Sequence, residues 1–258
     1  MKKIIAIANQ KGGVGKTTTA VNLATALAAL RKKTLLVDLD PQGNASTSLG
    51  VAYTDRFPGV YEFITGEYPA NTIYRQTFIP NLFIVPSSPD LAGAEIELVG
   101  MKDRERQLME KMKELDFDYI LIDCPPALGL LTLNALTASQ SVLIPLQCEY
   151  FALEGLSQLK KTIQLVKAYY NPSLYIQGIV LTMYDGRNAL NNAVVEDART
   201  HMGDLVYKTI IPRNIKVSEA PSHGKPVLIY DMKSAGAQAY IRLASEVIRQ
   251  ERRKNYAA

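Results

Sequence analysis

A chain of 258 residues of which 47% are apolar has the material for a large buried core, which excludes an intrinsically disordered protein. The net charge of +4 is uneven: residues 187–258 hold 12 Lys+Arg against 7 Asp+Glu, while residues 1–186 balance at −1, so the last quarter is a basic surface that either is simply solvated or faces a polyanion. The two cysteines, Cys124 and Cys148, form no CxxC spacing and read as small buried fillers in a reduced, cytoplasmic protein, and no apolar stretch reaches the roughly 18 residues of a bilayer span.

The opening MKKIIAIANQ has the basic start of an export signal, but its apolar run is only IIAIA and a glycine-rich loop follows at once. Ile4–Ala8 is therefore read as a strand, Asn9–Lys16 as a loop and Thr17–Leu30 as a helix. The loop, KGGVGKTT at Lys11–Thr18, is a phosphate-binding loop of deviant form. Gly12, Gly13 and Gly15 let the backbone turn its N–H groups onto phosphate oxygens, and the helix that follows points its positive end at them. Lys16 is expected to reach the β- and γ-phosphates of a nucleotide, and Thr17 to bind Mg²⁺. Lys11, Gly12, Gly13, Val14, Gly15, Lys16, Thr17 and Thr18 are the candidate nucleotide-binding set. The ordinary pattern asks for glycine where Gln10 stands, and it does not ask for Lys11. A second lysine beside the phosphates either faces solvent or reaches a different nucleotide, in trans, as an arginine finger does. The loop starts so early that no amino-terminal helix-turn-helix precedes it, so any DNA contact is expected from the same domain.

Next comes the strand Thr34–Asp38, ending in DLDPQGNAS. Its carboxylates fall at the carboxyl end of a strand, where open α/β sheets bind ligands. Asp40 is assigned to orient the attacking water and Asp38 to the outer shell of the metal. Leu82–Val85 is a further strand and Pro89–Leu115 a long helix. Tyr119–Asp123 ends in DCPP, an apolar strand delivering a carboxylate that holds Mg²⁺ through water. Thr17, Asp40 and Asp123 thus form the candidate metal set. After a helix from about Leu128 come the strands Ser141–Pro145, Tyr175–Leu181 and Val206–Ile211, interleaved with helices at Leu153–Tyr169, Ala189–His201 and Ala235–Arg253. Short Ile/Val/Leu runs alternating with helices predict a doubly wound, mostly parallel α/β sheet of the P-loop type, in one domain over 1–258. The last strand ends in IPRN, where Pro212 can pack on a base and the Asn214 amide can read its edge. His201 and His223 have no acid or nucleophile patterned around them and read as surface or cap residues.

Taken together, KGGVGKTT, LLVDLDPQGN, the DxPP at Asp123–Pro126, PLQCEYFALEGL and IPRNIKVSEAPSHGKP resemble the ParA/Soj chromosome- and plasmid-partition ATPases, in the small subtype without a helix-turn-helix, from Lys3 to about Ile248. The resemblance implies ATP and Mg²⁺ as ligands and a catalytic set of Lys11, Lys16 and Asp40. Lys11 is similar to a signature lysine that crosses to the partner's phosphates, and Gly12 falls where two monomers approach closely. Pro212 and Asn214 fall where the family contacts the base, and Arg187 and Lys216 where it binds DNA without sequence preference. Arg213, Lys225 and Lys233 extend that basic surface. Ala235 stands where the family frequently has a basic residue, so one phosphate contact is expected to be missing. Also implied are an ATP-dependent homodimer, non-specific double-stranded DNA, a ParB-like partner that stimulates slow hydrolysis, nucleoid association and no membrane. A MinD-like ATPase is the alternative, but the tail RQERRKNYAA has only Tyr256 as an apolar group to insert. Cys124 and Cys148 are poorly placed to ligate a cluster as in nitrogenase iron proteins, and the lone Tyr256 is not the tyrosine cluster of a bacterial tyrosine kinase.

Overall fold

The computed structural model describes residues 2–66, 68–150 and 152–257. Eight strands form one sheet: β1 Lys3–Ile7, β2 Thr34–Asp38, β3 Arg75–Gln76, β4 Leu82–Val85, β5 Tyr119–Asp123, β6 Ser141–Gln147, β7 Tyr175–Tyr184 and β8 Val206–Pro212. Twelve α-helices connect them: α1 Lys16–Ala29, α2 Asn44–Ser48, α3 Val60–Thr65, α4 Ala70–Ile73, α5 Leu91–Gly100, α6 Gln107–Lys113, α7 Leu130–Ala138, α8 Ala152–Tyr169, α9 Ala189–Met202, α10 Ile215–Glu219, α11 Val227–Tyr230 and α12 Ala235–Ala257. The strand order is β3-β4-β2-β5-β1-β6-β7-β8. All pairings are parallel except β3 with β4. Two features depart from expectation. The two-residue β3 is an antiparallel edge, and the stretch expected as one helix over 89–115 is two, α5 and α6, separated by a turn in which Asp103 has φ 51°.

Alternate residues of every strand except β3 enter opposite cores, as a pleated strand buried on both faces requires. From β1, Ile4 and Ala6 join Leu91, Leu131 and Leu156 on one face, while Ile5 and Ile7 join Leu23, Leu27, Tyr240 and Val247 on the other. The first core lies under α3–α9, the second under α1, α2, α11 and α12. Both cysteines are buried, as expected of small fillers. On one edge of the sheet, the N–H groups of Lys208 and Thr209 in β8 donate to the Glu246 carboxylate of α12 at 2.8 and 3.0 Å. Among the described residues no helix is long and apolar enough to cross a membrane. The side chains of the tail after Glu251, Tyr256 among them, lie outside the described residues, as does Phe151.

Gly178 in β7 faces the ring of Tyr207, which is fully buried. A Cβ there would meet the ring at 2.5 Å, and neither strand can move without disturbing the sheet. Gly178→Ala is expected to destabilise the fold by about 1–3 kcal/mol, read as a lower urea midpoint at unchanged slope.

Candidate nucleotide site

The phosphate loop leaves the carboxyl end of β1, between β5 and β6, where the direction of strand addition reverses. It is fixed at both ends. Asn9 is buried; its amide donates to the Pro145 carbonyl at 2.7 Å and its Oδ1 accepts the Lys11 N–H at 3.0 Å. The Val14 carbonyl accepts the Thr182 hydroxyl of β7 at 2.8 Å. Gly13 and Gly15 have φ 73° and 88°, left-handed values that a side chain resists. Gly15 begins α1 without a side-chain cap, so the first N–H groups of that helix keep no partner of their own and face the cleft as an anion site. Gly12 differs from its neighbours: its φ is not positive, and a Cβ built there meets nothing within 4 Å. The chain's own backbone does not require glycine at that position.

A cleft of about 520 Å³ is lined by Gly12, Gly13, Gly15, Lys16, Thr17, Thr18, Asp40, Pro126 and Met183. It adjoins a cavity of about 280 Å³ lined by Gly15, Thr18, Met183, Pro212, Arg213, Asn214 and Tyr240. The structure thus brings the phosphate-loop residues, Asp40, Pro212 and Asn214 around one continuous space. Sequence reasoning missed Met183, which lines both parts and has φ 53°; no local motif marks it. Asn214 is more constrained than expected. Its Oδ1 caps α10 by accepting the Lys216 N–H at 3.0 Å, so only its NH₂ group is left to donate to a base.

Charges at the closed end of the cleft are poorly compensated. Pairing of β2 with β5 sets Asp38 beside Asp123, and both are fully buried. Burial, then the mutual proximity of the carboxylates, pushes Asp123 well above the usual carboxylate range, with the Thr17 hydroxyl and Lys16 acting the other way. Burial likewise raises Asp38 to about 6, against the bonds it accepts from the Ser46 hydroxyl and N–H at 2.6 and 2.8 Å. Both oxygens of Asp123 and Oδ1 of Asp38 have no hydrogen-bond partner. Lys16 is also buried, which lowers its pKa against the pull of Asp123, Cys124 and Asp40, and its ammonium donates to the Lys11 carbonyl at 3.1 Å. Orphaned buried oxygens beside a hydroxyl and an anion site fit a hard cation that keeps much of its water. Among the described residues no group of three or more His, Cys, Asp or Glu forms a complete protein cage, so phosphate oxygens would have to complete the shell. Asp40 stands at the wall, Oδ1 accepting the Gln42 N–H at 3.0 Å.

Lys11 does not reach toward the phosphate cleft. Its ammonium pairs with Glu149 Oε2 after β6 at 3.0 Å, both side chains being about two-fifths exposed or more. Two expected DNA contacts are paired as well: Arg187 with Asp185 and Lys216 with Glu219. Arg213, Lys225 and Lys233 are exposed, and Ala235 is exposed at the start of α12. The histidines sit at the surface, His201 paired with Asp197 and His223 stacked on Tyr230.

A family model described as an AAA domain matches residues 2–176. The chromosome partitioning protein ParA of Caulobacter vibrioides is 54% identical over 254 residues, 97% of this chain and 95% of that protein. The sporulation initiation inhibitor protein Soj of Bacillus subtilis is 54% identical over 250 residues, covering 96% and 98%. The chain belongs to the ParA/Soj family of chromosome-partitioning ATPases. Among solved structures, cobyrinic acid a,c-diamide synthase of Mycobacterium smegmatis with bound ADP and magnesium superposes with a TM-score of 0.86 over 98% of this chain and 96% of that one, at 37% identity. The nucleotide fold is thus shared more widely than the family, while the higher identity lies with ParA and Soj.

The electrostatics of the closed end can be measured. Because Asp38 is raised in the fold, its contribution to stability is fully present below the unfolded value near 3.8 and is lost as pH rises through about 6. Asp38→Asn removes that loss. In magnesium- and nucleotide-free buffer, the stability of the variant relative to the native chain should improve by about 2–3 kcal/mol between pH 4 and 7, followed by urea unfolding across that range; a pH-independent difference would contradict the assignment.

Proposed function

We propose that this chain, as one domain over 1–258, is a Mg-ATP-driven partition switch that dimerises around ATP, coats double-stranded DNA without sequence preference and lets go when a ParB-like partner stimulates hydrolysis. The observation that carries the reading is the space running from the uncapped terminus of α1 and Lys16 to the Pro212–Asn214 cavity, with the orphaned oxygens of Asp123 buried next to Lys16 and Thr17. The phosphates lie on the N–H groups of Gly13–Thr18, and Lys16 exchanges the Lys11 carbonyl for a phosphate oxygen. Pro212 and the Asn214 NH₂ group take the base. Thr17, Asp123 and Asp40 would hold Mg²⁺, which would supply positive charge against the phosphates. The Oδ2 atom of Asp40, left over by the Gln42 bond, orients the attacking water. Lys11 leaves Glu149 and crosses to the partner's nucleotide, which accounts for a glycine at position 12 that its own chain does not need. Basal turnover is slow because the switch holds its state until its partner arrives, and the protein works in the cytoplasm on the nucleoid, with no membrane partner.

Retention on immobilised duplex with ATP, ADP or no nucleotide tests this. The native chain should be retained with ATP, in a salt-sensitive way and equally on unrelated sequences; equal retention in all three states, or none, would sink it. Gly12→Val should fold and bind nucleotide yet stay monomeric by light scattering with ATP, because its branches fill the space that the partner enters. Asp40→Ala should bind ATP, dimerise and remain on DNA while phosphate release falls at least about a hundredfold, the scale of a lost catalytic proton-transfer or positioning group.

A further inference from the structure

The basic residues assigned to DNA are not equally available. Arg187, in the turn between β7 and α9, lays its guanidinium flat against Asp185, with Nε–Oδ1 at 2.9 Å and Nη2–Oδ2 at 2.8 Å. Its own backbone N–H adds a third bond to the same carboxylate at 3.1 Å. This two-pronged arrangement is the one in which arginine takes a phosphate, so Asp185 occupies one two-donor edge of the guanidinium and its charge competes with phosphate for the rest. In the short helix α10, Lys216 Nζ lies 2.9 Å from Glu219 Oε2, and the Tyr230 hydroxyl donates to that same oxygen at 3.1 Å. The ammonium also sits 5.6 Å from the centre of the Tyr230 ring. Arg213, Lys225 and Lys233 form no ion pair among the described residues. Asp185 and Arg213 line one cavity of about 430 Å³, so the same carboxylate also faces the second arginine of that surface.

We propose that Asp185 and Glu219 are internal competitors of DNA phosphate, each holding the cation of its own segment so that one chain alone binds duplex poorly. The inference rests on the DNA-binding reading above. Binding through Arg187 or Lys216 exchanges an intramolecular pair for a phosphate contact and leaves a bare carboxylate in the negative field of the duplex. The net gain per contact is therefore small, and a useful affinity needs two chains aligned on the same duplex, where the remaining contacts add without a second loss of freedom. The pairs suit such exchange because they are solvent-exposed, and exposed pairs are weak. They are not pH switches: Arg187 holds Asp185 down at about 2, and Lys216, then Tyr230, keeps Glu219 below the usual range, so both carboxylates stay ionised wherever DNA binding is measured.

The test measures the affinity of the full chain for two unrelated 30-base-pair duplexes, with a non-hydrolysable ATP analogue, with ADP and without nucleotide. Asp185→Asn and Glu219→Gln keep the shape of each acceptor and remove its charge. Each should tighten nucleotide-free and ADP-state binding by about two- to fivefold, and together they should narrow the ratio between the ATP-analogue and ADP states. Glu196→Gln, in an exposed carboxylate of α9 outside both pairs, changes net charge equally and should do much less; an equal gain there overturns the proposal in favour of bulk charge. Glu219→Gln should add nothing in a Lys216→Ala background, and a full gain in that background overturns it too. Native chain that binds with the ATP analogue while Asp185→Asn and Glu219→Gln leave the other states unchanged removes the competitors alone. Absence of binding by the native chain in every state removes the DNA reading itself.

Discussion

Everything at the working end of this protein is arranged around two carboxylates that the sheet forces together. Parallel pairing of β2 with β5 places Asp38 against Asp123 below the surface, where two adjacent negative charges raise each other's proton affinity. Lys16 is the buried cation nearest them, and burial weakens its charge as well. A core made this way is unfavourable by itself, and it is tolerated because the surrounding framework is over-determined. The phosphate loop is tied to β6 through Asn9 and to β7 through Val14, so it cannot collapse to satisfy the orphaned oxygens. The cost of burying those oxygens without partners is offset by any ligand that bonds them, so binding and rigidity are linked.

A second layer of charge lies further out and obeys the opposite rule. Lys11, Arg187 and Lys216 are each held by a carboxylate close by in the same chain, and all three are residues whose proposed partners belong to another molecule. Exposed pairs of this kind can be exchanged at little cost, whereas the inner carboxylates are held in place by the strands that carry them. The inner charges thus suit a fixed site, and the outer ones suit contacts that are made and released.

Much of the fold was legible because buried parallel strands leave largely apolar runs, and seven of the eight strands show one, interrupted in β7 by Gln177 and in β8 by Lys208 and Thr209. The exceptions have physical reasons. Arg75–Gln76 is too short and too polar to leave a period. The division of 89–115 into two helices depends on Asp103 adopting a left-handed turn, for which Asp is an unremarkable side chain. At the site, the loop spelled out its phosphate chemistry, but the three glycines look alike in sequence. Only the backbone separates Gly13 and Gly15, which the turn needs, from Gly12, which this chain does not. The ion pair of Lys11 was invisible because it depends on how two distant loops close, the i,i+3 pair of Lys216 with Glu219 because the five-residue α10 leaves no period to read, and Met183 was missed because its importance comes from three segments meeting rather than from any neighbour in sequence.

The outermost strand has a bearing on crowding. An uncovered strand edge offers a row of free amides to any similar chain, and it is a route to sheet-on-sheet polymerisation. Here Glu246 of α12 takes up the Lys208 and Thr209 amides of β8, and the opposite edge is the two-residue β3, too short to template a neighbour. Under the proposed function many copies gather along one polymer, which makes high local concentration the normal condition. Blunting both edges would then let copies crowd together while leaving the intended contact as the one that forms, so that the proposed assembly could come apart again when the nucleotide is spent.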